Sequence, residues 1–254
     1  MTIDFGRTAK DYRRHRAGFP DRFFDRLMTE GIVSAGDRLV DLGTGTGTVA
    51  RGFALRGCAA IGVDPSTALQ AEAKRLDQEA GATVRYVTAS AEATTLPARS
   101  AEVVTAGQCW HWFDGARAAA EARRVMVPGG RLVIGHFDWL PLPGNVVEAT
   151  ERLILKHNPG WAFAGGNGFH PEWALDVDFA GFGDIETFSF DLTVPYRHED
   201  WRGRIRASAG VAASLAPDAV AAFDAEHATL LATDFSDEPL DVPHRVWVLT
   251  ARAP

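Results

Sequence analysis

Three glycines at alternate positions, Gly43, Gly45 and Gly47, join an apolar run, RLVDL at Arg38–Leu42, to a segment of helical character at Thr46–Arg56. Glycine lets a backbone turn sharply and come close to a ligand. The helix that follows begins with amide groups that have no intrahelical partner. A strand, a glycine turn and a helix in that order form the opening of a βαβ unit. Ligands of open α/β sheets bind where such turns lie, beyond the carboxyl ends of the strands. This feature excludes an all-helical or all-β reading and sets the pattern to seek in the rest of the chain.

The pattern continues. Ala59–Asp64 and Val84–Ala89 read as strands, with a helix at Ser66–Ala80 rich in good helix formers between them. Glu102–Gly107 is a fourth strand, Gly115–Val127 a helix and Gly130–Phe137 a fifth strand, with a turn at Pro128-Gly129-Gly130. Such alternation implies a parallel sheet with helices on both faces. The rhythm then changes. Asn145–Lys156, His198–Leu215 and Asp218–Ala232 read as helices, and Asn158–His170 as a loop rich in Gly, Trp and Phe. Ile185–Val194 and Val242–Thr250 are two late strands, expected as an antiparallel completion of the sheet.

With 254 residues, 46% hydrophobic and 23% charged, the chain has ordinary globular composition, which argues against disorder. Its net charge of −7 disfavours nucleic acid as a partner, because phosphate neutralisation needs a basic excess. Cys58 and Cys109, the two cysteines, show no zinc or disulfide spacing and are expected as buried core thiols. Met1–Arg16 lacks the apolar core of a signal peptide, and no apolar run approaches a membrane span. A cytoplasmic protein that engages no membrane is the expectation. The histidines, His136 and His170 included, show no metal spacing, and no metal is expected.

Two ligand classes compete for the glycine loop. A dinucleotide fingerprint is G-x-G-x-x-G, whereas this loop is G-x-G-x-G with Thr48 after it. Asp41 stands two residues before Gly43. A carboxylate there repels a pyrophosphate and attracts an amino group, so Asp41 favours a cationic ligand such as the amino-acid part of S-adenosylmethionine (SAM). Asp64 ends the second strand, where a carboxylate accepts from both hydroxyls of a ribose, a feature that NAD and SAM share.

Val40–Gly47 and Gly62-Val63-Asp64-Pro65-Ser66 resemble motifs I and II of the class I SAM-dependent methyltransferases. Tyr86–Pro97 resembles the family segment that holds the adenine, with Ser90-Ala91-Glu92 where the family often has Asp-Ala-Glu. Gly107–Asp114, which contains Trp110-His111-Trp112-Phe113, is similar to the HWF segment of small-molecule and carboxyl methyltransferases of the trans-aconitate and juvenile-hormone-acid type. Tyr12-Arg13-Arg14-His15-Arg16 resembles their Y-x-x-x-R helix. The resemblance spans about Phe5 to Phe137. It implies an α/β fold with a Rossmann-like seven-stranded sheet, mostly parallel with one antiparallel late strand, and an inserted cap. It implies SAM as cofactor, S-adenosylhomocysteine as product and a small-molecule substrate. Cofactor contacts are then expected from Tyr12, Arg16, Asp41, Gly43, Thr44, Gly45, Gly47, Asp64, Pro65, Ser90, Ala91, Glu92 and Gln108.

Methyl transfer is an in-line displacement for which the protein supplies orientation, and positioning alone is worth roughly 7–11 kcal/mol. A general base adds about 10²–10⁴-fold, and only where the nucleophile carries a proton. His111 follows the fourth strand and is the expected catalytic residue, either removing a hydroxyl proton or hydrogen-bonding a substrate carboxylate. Trp110, Trp112, Trp139 and Trp201 are the expected substrate contacts. Arg202 and Arg206 share a helix face that either meets an acidic substrate or is solvated.

The expected organisation is a single class I methyltransferase domain over 1–254. Residues 1–30 form helices over the cofactor, 31–139 the SAM-binding half, 140–180 and 198–232 the substrate cap, and 181–197 and 240–254 the closing strands. The expected acceptor is an oxygen, ahead of nitrogen or carbon. An NAD(P)-dependent oxidoreductase and a noncatalytic SAM-binding module are the rivals. The glycine spacing and Asp41 argue against the first, and the intact loop with Asp64 against the second. A nucleic-acid methyltransferase would show an Asn/Asp-Pro-Pro-Tyr-type tetrapeptide, and Gln108–Trp112 holds none.

Overall fold

The computed structural model describes residues 18–254. Seven apolar runs become β1 (Arg38–Leu42), β2 (Ala59–Val63), β3 (Val84–Val87), β4 (Ala101–Gly107), β5 (Met126–Trp139), β6 (Gly183–Tyr196) and β7 (Leu240–Arg252). They form one sheet in the order β3-β2-β1-β4-β5-β7-β6. Strands β1 to β5 pair in parallel. β7 runs against β5: Gly129 N–H donates to the Ala253 carbonyl, and Ala253 N–H to that of Gly130. The strand order reverses between β1 and β4, which is the switch point where such sheets take ligands.

The helices are α1 (Asp21–Thr29), α2 (Thr48–Ala54), α3 (Thr67–Ala80), α4 (Gly115–Val125), α5 (Val146–His157), α6 (Trp173–Phe179), α7 (His198–Arg206) and α8 (Pro217–Asp234). Three of their starts follow side-chain capping chemistry. The side chains of Ser66, Asp114 and Asn145 accept from the amides of Leu69, Arg117 and Glu148, opening α3, α4 and α5.

The chain forms two compact units. The sheet unit holds Gly18–Phe137, His170–Phe190 and Val246–Pro254, and the other, here the helical unit, includes Asp138–Phe169 and Asp191–Arg245. In the sheet unit Val40, Leu42, Val104, Leu132, Ile134, Trp173, Trp247 and Leu249 share one buried core. Phe23, Phe24 and Leu27 of α1 are also buried, and Gly52 of α2 has no Cβ because the Phe24 ring would lie 2.3 Å from one. In the helical unit the core gathers Val147, Ile154, Trp161, Trp201, Ile205, Phe223 and Leu231. At its centre, Thr150 donates to the Val146 carbonyl at 2.7 Å and accepts from Trp201 Nε1 at 3.1 Å. His227 Nε2 lies 3.2 Å from the same hydroxyl. The hydroxyl proton points to Val146, so His227 donates through Nε2.

Two expectations need correction, and one helix is added to those expected. The turn expected at Pro128-Gly129-Gly130 lies inside β5, because the end of the chain pairs with it. The helix expected over His198–Leu215 stops at Arg206, and residues 207–215 form turns. Gly210 accounts for the tightness there: a Cβ would lie 2.8 Å from Ile154. Residues 173–179, for which no element was expected, form α6 in the sheet unit, where Val177 is fully buried.

Candidate active site

Register builds the site. Leu42 pairs with Val63, so Gly43 and Asp64 leave β1 and β2 at the same level. Gly107 pairs with Gly135, so Gln108 and His136 leave that ladder side by side. Four segments thus gather at the carboxyl ends of the parallel strands of the sheet unit: the glycine loop, Asp64, the segment after β3 and Gln108–Trp112.

Asp64 braces the loop. Its Oδ2 accepts from Gly45 N–H at 2.9 Å and its Oδ1 from Ser66 N–H at 2.8 Å. Burial raises its pKa above the usual carboxylate range, against the pull of these two amides. Gly45 has φ 55, and a Cβ there would meet nothing nearer than the Gly43 carbonyl at 4.0 Å. The loop therefore presents an open face with backbone amides and a carboxylate edge beside it. Gly47, at φ 78, caps α2, and a Cβ there would lie 2.4 Å from Tyr86 Oη. Thr44 is buried, and its N–H donates to the Val63 carbonyl.

Asp41 is enclosed at 2% exposure. Its Oδ1 accepts from Thr105 Oγ1 at 2.7 Å. Burial pushes its carboxyl up to about 6, against the Thr44 and Thr105 hydroxyls and the Ala50 amide of α2. Asp41 thus sits under the N-terminal turn of α2, a favourable place for negative charge. Beneath the loop lies a network absent from the sequence reading. Arg51 Nε donates to Asp77 Oδ1 at 2.8 Å, Tyr86 Oη to Asp77 Oδ2 at 2.8 Å, and Arg51 Nη2 to the Thr46 carbonyl at 2.6 Å. Gln70, also unforeseen, is buried and donates to the carbonyls of Asp64 and Val87, tying the ends of β2 and β3.

Pro65 and Ser90 are exposed, Ala91 is buried, and Glu92 Oε1 accepts from Asp114 N–H at 3.1 Å. Past β4 the backbone of Gln108 is left-handed, with φ 61. Its Oε1 accepts from Phe137 N–H at 2.6 Å and its Nε2 lies 3.3 Å from His136 Nδ1. His136 Nε2 lies 3.1 Å from His111 Nδ1. His170 packs against His136 with ring centroids 4.3 Å apart and stacks on Trp173 at 4.1 Å. Three imidazoles thus meet. Sequence spacing concealed this, since the residues stand 25 and 34 positions apart, although the β4–β5 register would have paired Gln108 with His136.

Residues 40–134 match a family described as a methyltransferase domain. A methyltransferase of Mycobacterium tuberculosis is 35% identical over 134 residues, covering 52% of this chain and 51% of that protein, so the chain spans about half the length of such relatives. The malonyl-[acyl-carrier protein] O-methyltransferase of Enterobacter lignolyticus is 32% identical over 185 residues, 69% of this chain and 72% of that protein. The chain belongs to the class I SAM-dependent methyltransferases. The fold agrees with a Haemonchus contortus phosphoethanolamine N-methyltransferase solved with phosphomonomethylethanolamine and S-adenosylhomocysteine, at TM-score 0.59 and 20% identity over 97% of this chain and 57% of that one.

The tryptophans of this methyltransferase lie in different settings. Trp110 is buried and its indole N–H donates to Asp176 of α6 at 3.1 Å. Trp112 is exposed at 41%, beside the His111 ring. Trp201 is fully enclosed in the helical unit by the Thr150 network. Trp139, in the same unit, donates to Glu151 Oε1 at 2.7 Å and carries the Arg204 guanidinium 4.8 Å over its ring. Arg202 and Arg206 both pair with Asp224 of α8, so the expected basic face is an intramolecular ion-pair cluster. Tyr12 and Arg16 lie outside the described residues.

Proposed function

We propose that this chain binds SAM in the cradle of Gly43–Gly47 and Asp64 and directs methyl transfer to an oxygen of a small organic molecule, a carboxylate or a hydroxyl. The observation that carries it is the brace from Asp64 at the end of β2 to Gly45 in the loop after β1, with an open left-handed glycine in front of α2. Asp64 keeps acceptor capacity for ribose hydroxyls, Ser90-Ala91-Glu92 lies along the adenine side, and buried Asp41 makes the loop electronegative. That field suits a ligand with an amino group and opposes a pyrophosphate. SAM, when bound, supplies a methyl group on a sulfonium. The chain's own contribution is to hold the acceptor in line with it, and His111 addresses the acceptor oxygen with Trp112 beside it. Trp110 supports from within the packing of the sheet unit.

Oxygen as acceptor is supported by the O-methyltransferase of E. lignolyticus named above. A cytoplasmic protein acting on neither nucleic acid nor membrane fits the net charge, and no described helix is long and apolar enough to cross a membrane. A thermal-shift titration with SAM, S-adenosylhomocysteine, NAD and NADP tests the cofactor. Binding to the folded state alone stabilises by about 2.7 kcal/mol at a hundredfold excess over Kd. The SAM pair is expected to raise Tm and the nicotinamides to leave it unchanged. A shift with NAD or NADP alone would overturn the reading.

A further inference from the structure

The orientation of one amide decides the chemistry of three side chains. A backbone N–H only donates, so the Gln108 atom at 2.6 Å from Phe137 N is the carbonyl oxygen. The other end, facing His136 Nδ1 at 3.3 Å, is therefore the NH₂ group, which also only donates. His136 Nδ1 must accept, so in the neutral ring its proton is on Nε2. That Nε2–H points at His111 Nδ1, 3.1 Å away, which must in turn accept. Neutral His111 then carries its proton on Nε2. The opposite tautomer would set an Nδ1–H of His136 against the Gln108 NH₂. The arrangement is held rigidly: His136 is buried, Gln108 N–H donates to the Gly135 carbonyl, and the Gln108 backbone is in a conformation that L side chains rarely adopt.

We propose that Gln108 and His136 are positioning residues that fix His111 as the Nε2–H tautomer, so that His111 meets the methyl acceptor as a hydrogen-bond donor to an oxygen that is already ionised, a carboxylate. Its lone pair lies on Nδ1, turned to His136, and no proton is taken from the acceptor. That the acceptor is an oxygen rests on the proposed function, whereas the tautomer rests on this geometry alone.

The test is long-range ¹H–¹⁵N correlation NMR of the full chain labelled at histidine, at a pH where the imidazoles are neutral, with neither SAM nor acceptor present. His111 and His136 are assigned by the signals that vanish in His111→Gln and His136→Phe. Both rings are expected as single Nε2–H tautomers. In Gln108→Leu, and for His111 also in His136→Phe, the constraint is gone and the Nδ1–H form is expected to appear. Either variant suffices if the other does not fold. A wild-type His111 protonated on Nδ1, or a His111 that stays purely Nε2–H in the folded variant, overturns the relay. Neither result touches cofactor binding, which the thermal-shift titration reads separately.

Discussion

At the scale of single residues, Asp64 serves two ends. Its carboxylate holds the Gly45 amide and is the group proposed to accept from the ribose. Hydrogen bonds to a charged group are worth about 1.5–3 kcal/mol each. Asp64→Ala is therefore expected to weaken S-adenosylhomocysteine binding by about 10–100-fold, as read by isothermal titration calorimetry. An unchanged Kd would remove Asp64 from the site. The place of Asp64 was legible in the sequence, because position at a strand end and charge are local properties. The brace to Gly45 was not, since it depends on how β1 and β2 align. Gln108 shows the same limit: its place after β4 could be read, but its partners His136 and Phe137 come from the next strand.

At the scale of elements, buried polar links decide how firmly the helices are held. Asp77 on α3 ties Arg51 on α2 to Tyr86 on β3, and both ion-pair side chains are largely buried, at 14% and 6% exposure. Removing one partner of a buried pair costs about 3–5 kcal/mol, because the other charge is left alone. Asp77→Ala should lower the urea midpoint accordingly, and should weaken SAM binding because Arg51 also holds the Thr46 carbonyl of the loop. Thr150→Val should leave two buried N–H donors, of Trp201 and His227, without their acceptor. At about 1–3 kcal/mol for each orphaned group, the loss should be about 2–6 kcal/mol by the same unfolding measurement. A loss below 1 kcal/mol in either variant would mean that the network bears little load. The strands and most helices were legible because apolar periodicity and caps are written locally. The break at Arg206 was not: the turns after it pack Gly210 close to Ile154 and Trp161, and Ile154 and Trp161 are far away in the chain. Nor was α6, whose seven residues are too few to show a helical period.

At the scale of the molecule, burial moves one acid of the sheet unit and two histidines of the helical unit in opposite directions. In the sheet unit, burial raises Asp41 from 3.8 to about 6. The folded state binds that proton more readily than the unfolded chain does. The cost of the buried charge is thus present above pH 6 and is relieved as pH falls toward 4. In the helical unit, burial pushes His227 and His244 down from 6.5 to about 4. These rings stay neutral when folded and take a proton when unfolded. Their contribution is whole above pH 6.5 and is lost as pH falls to about 4. Linkage then gives, between pH 7 and pH 5, a gain of about 1 kcal/mol from Asp41 and a loss of about 4 kcal/mol from the two histidines together. Opening free energies differ between parts of one protein, so the two effects can be read apart. Native-state hydrogen exchange at the two pH values, corrected for intrinsic rates, should show α5 and α8 losing protection while β1 and β4 hold or gain. Asp41→Asn keeps an acceptor for Thr105 without the charge, and should abolish the gain in β1 and β4 while leaving the loss in α5 and α8. Equal loss of protection in both sets would mean that the units open as one body and that the opposite titrations do not act locally.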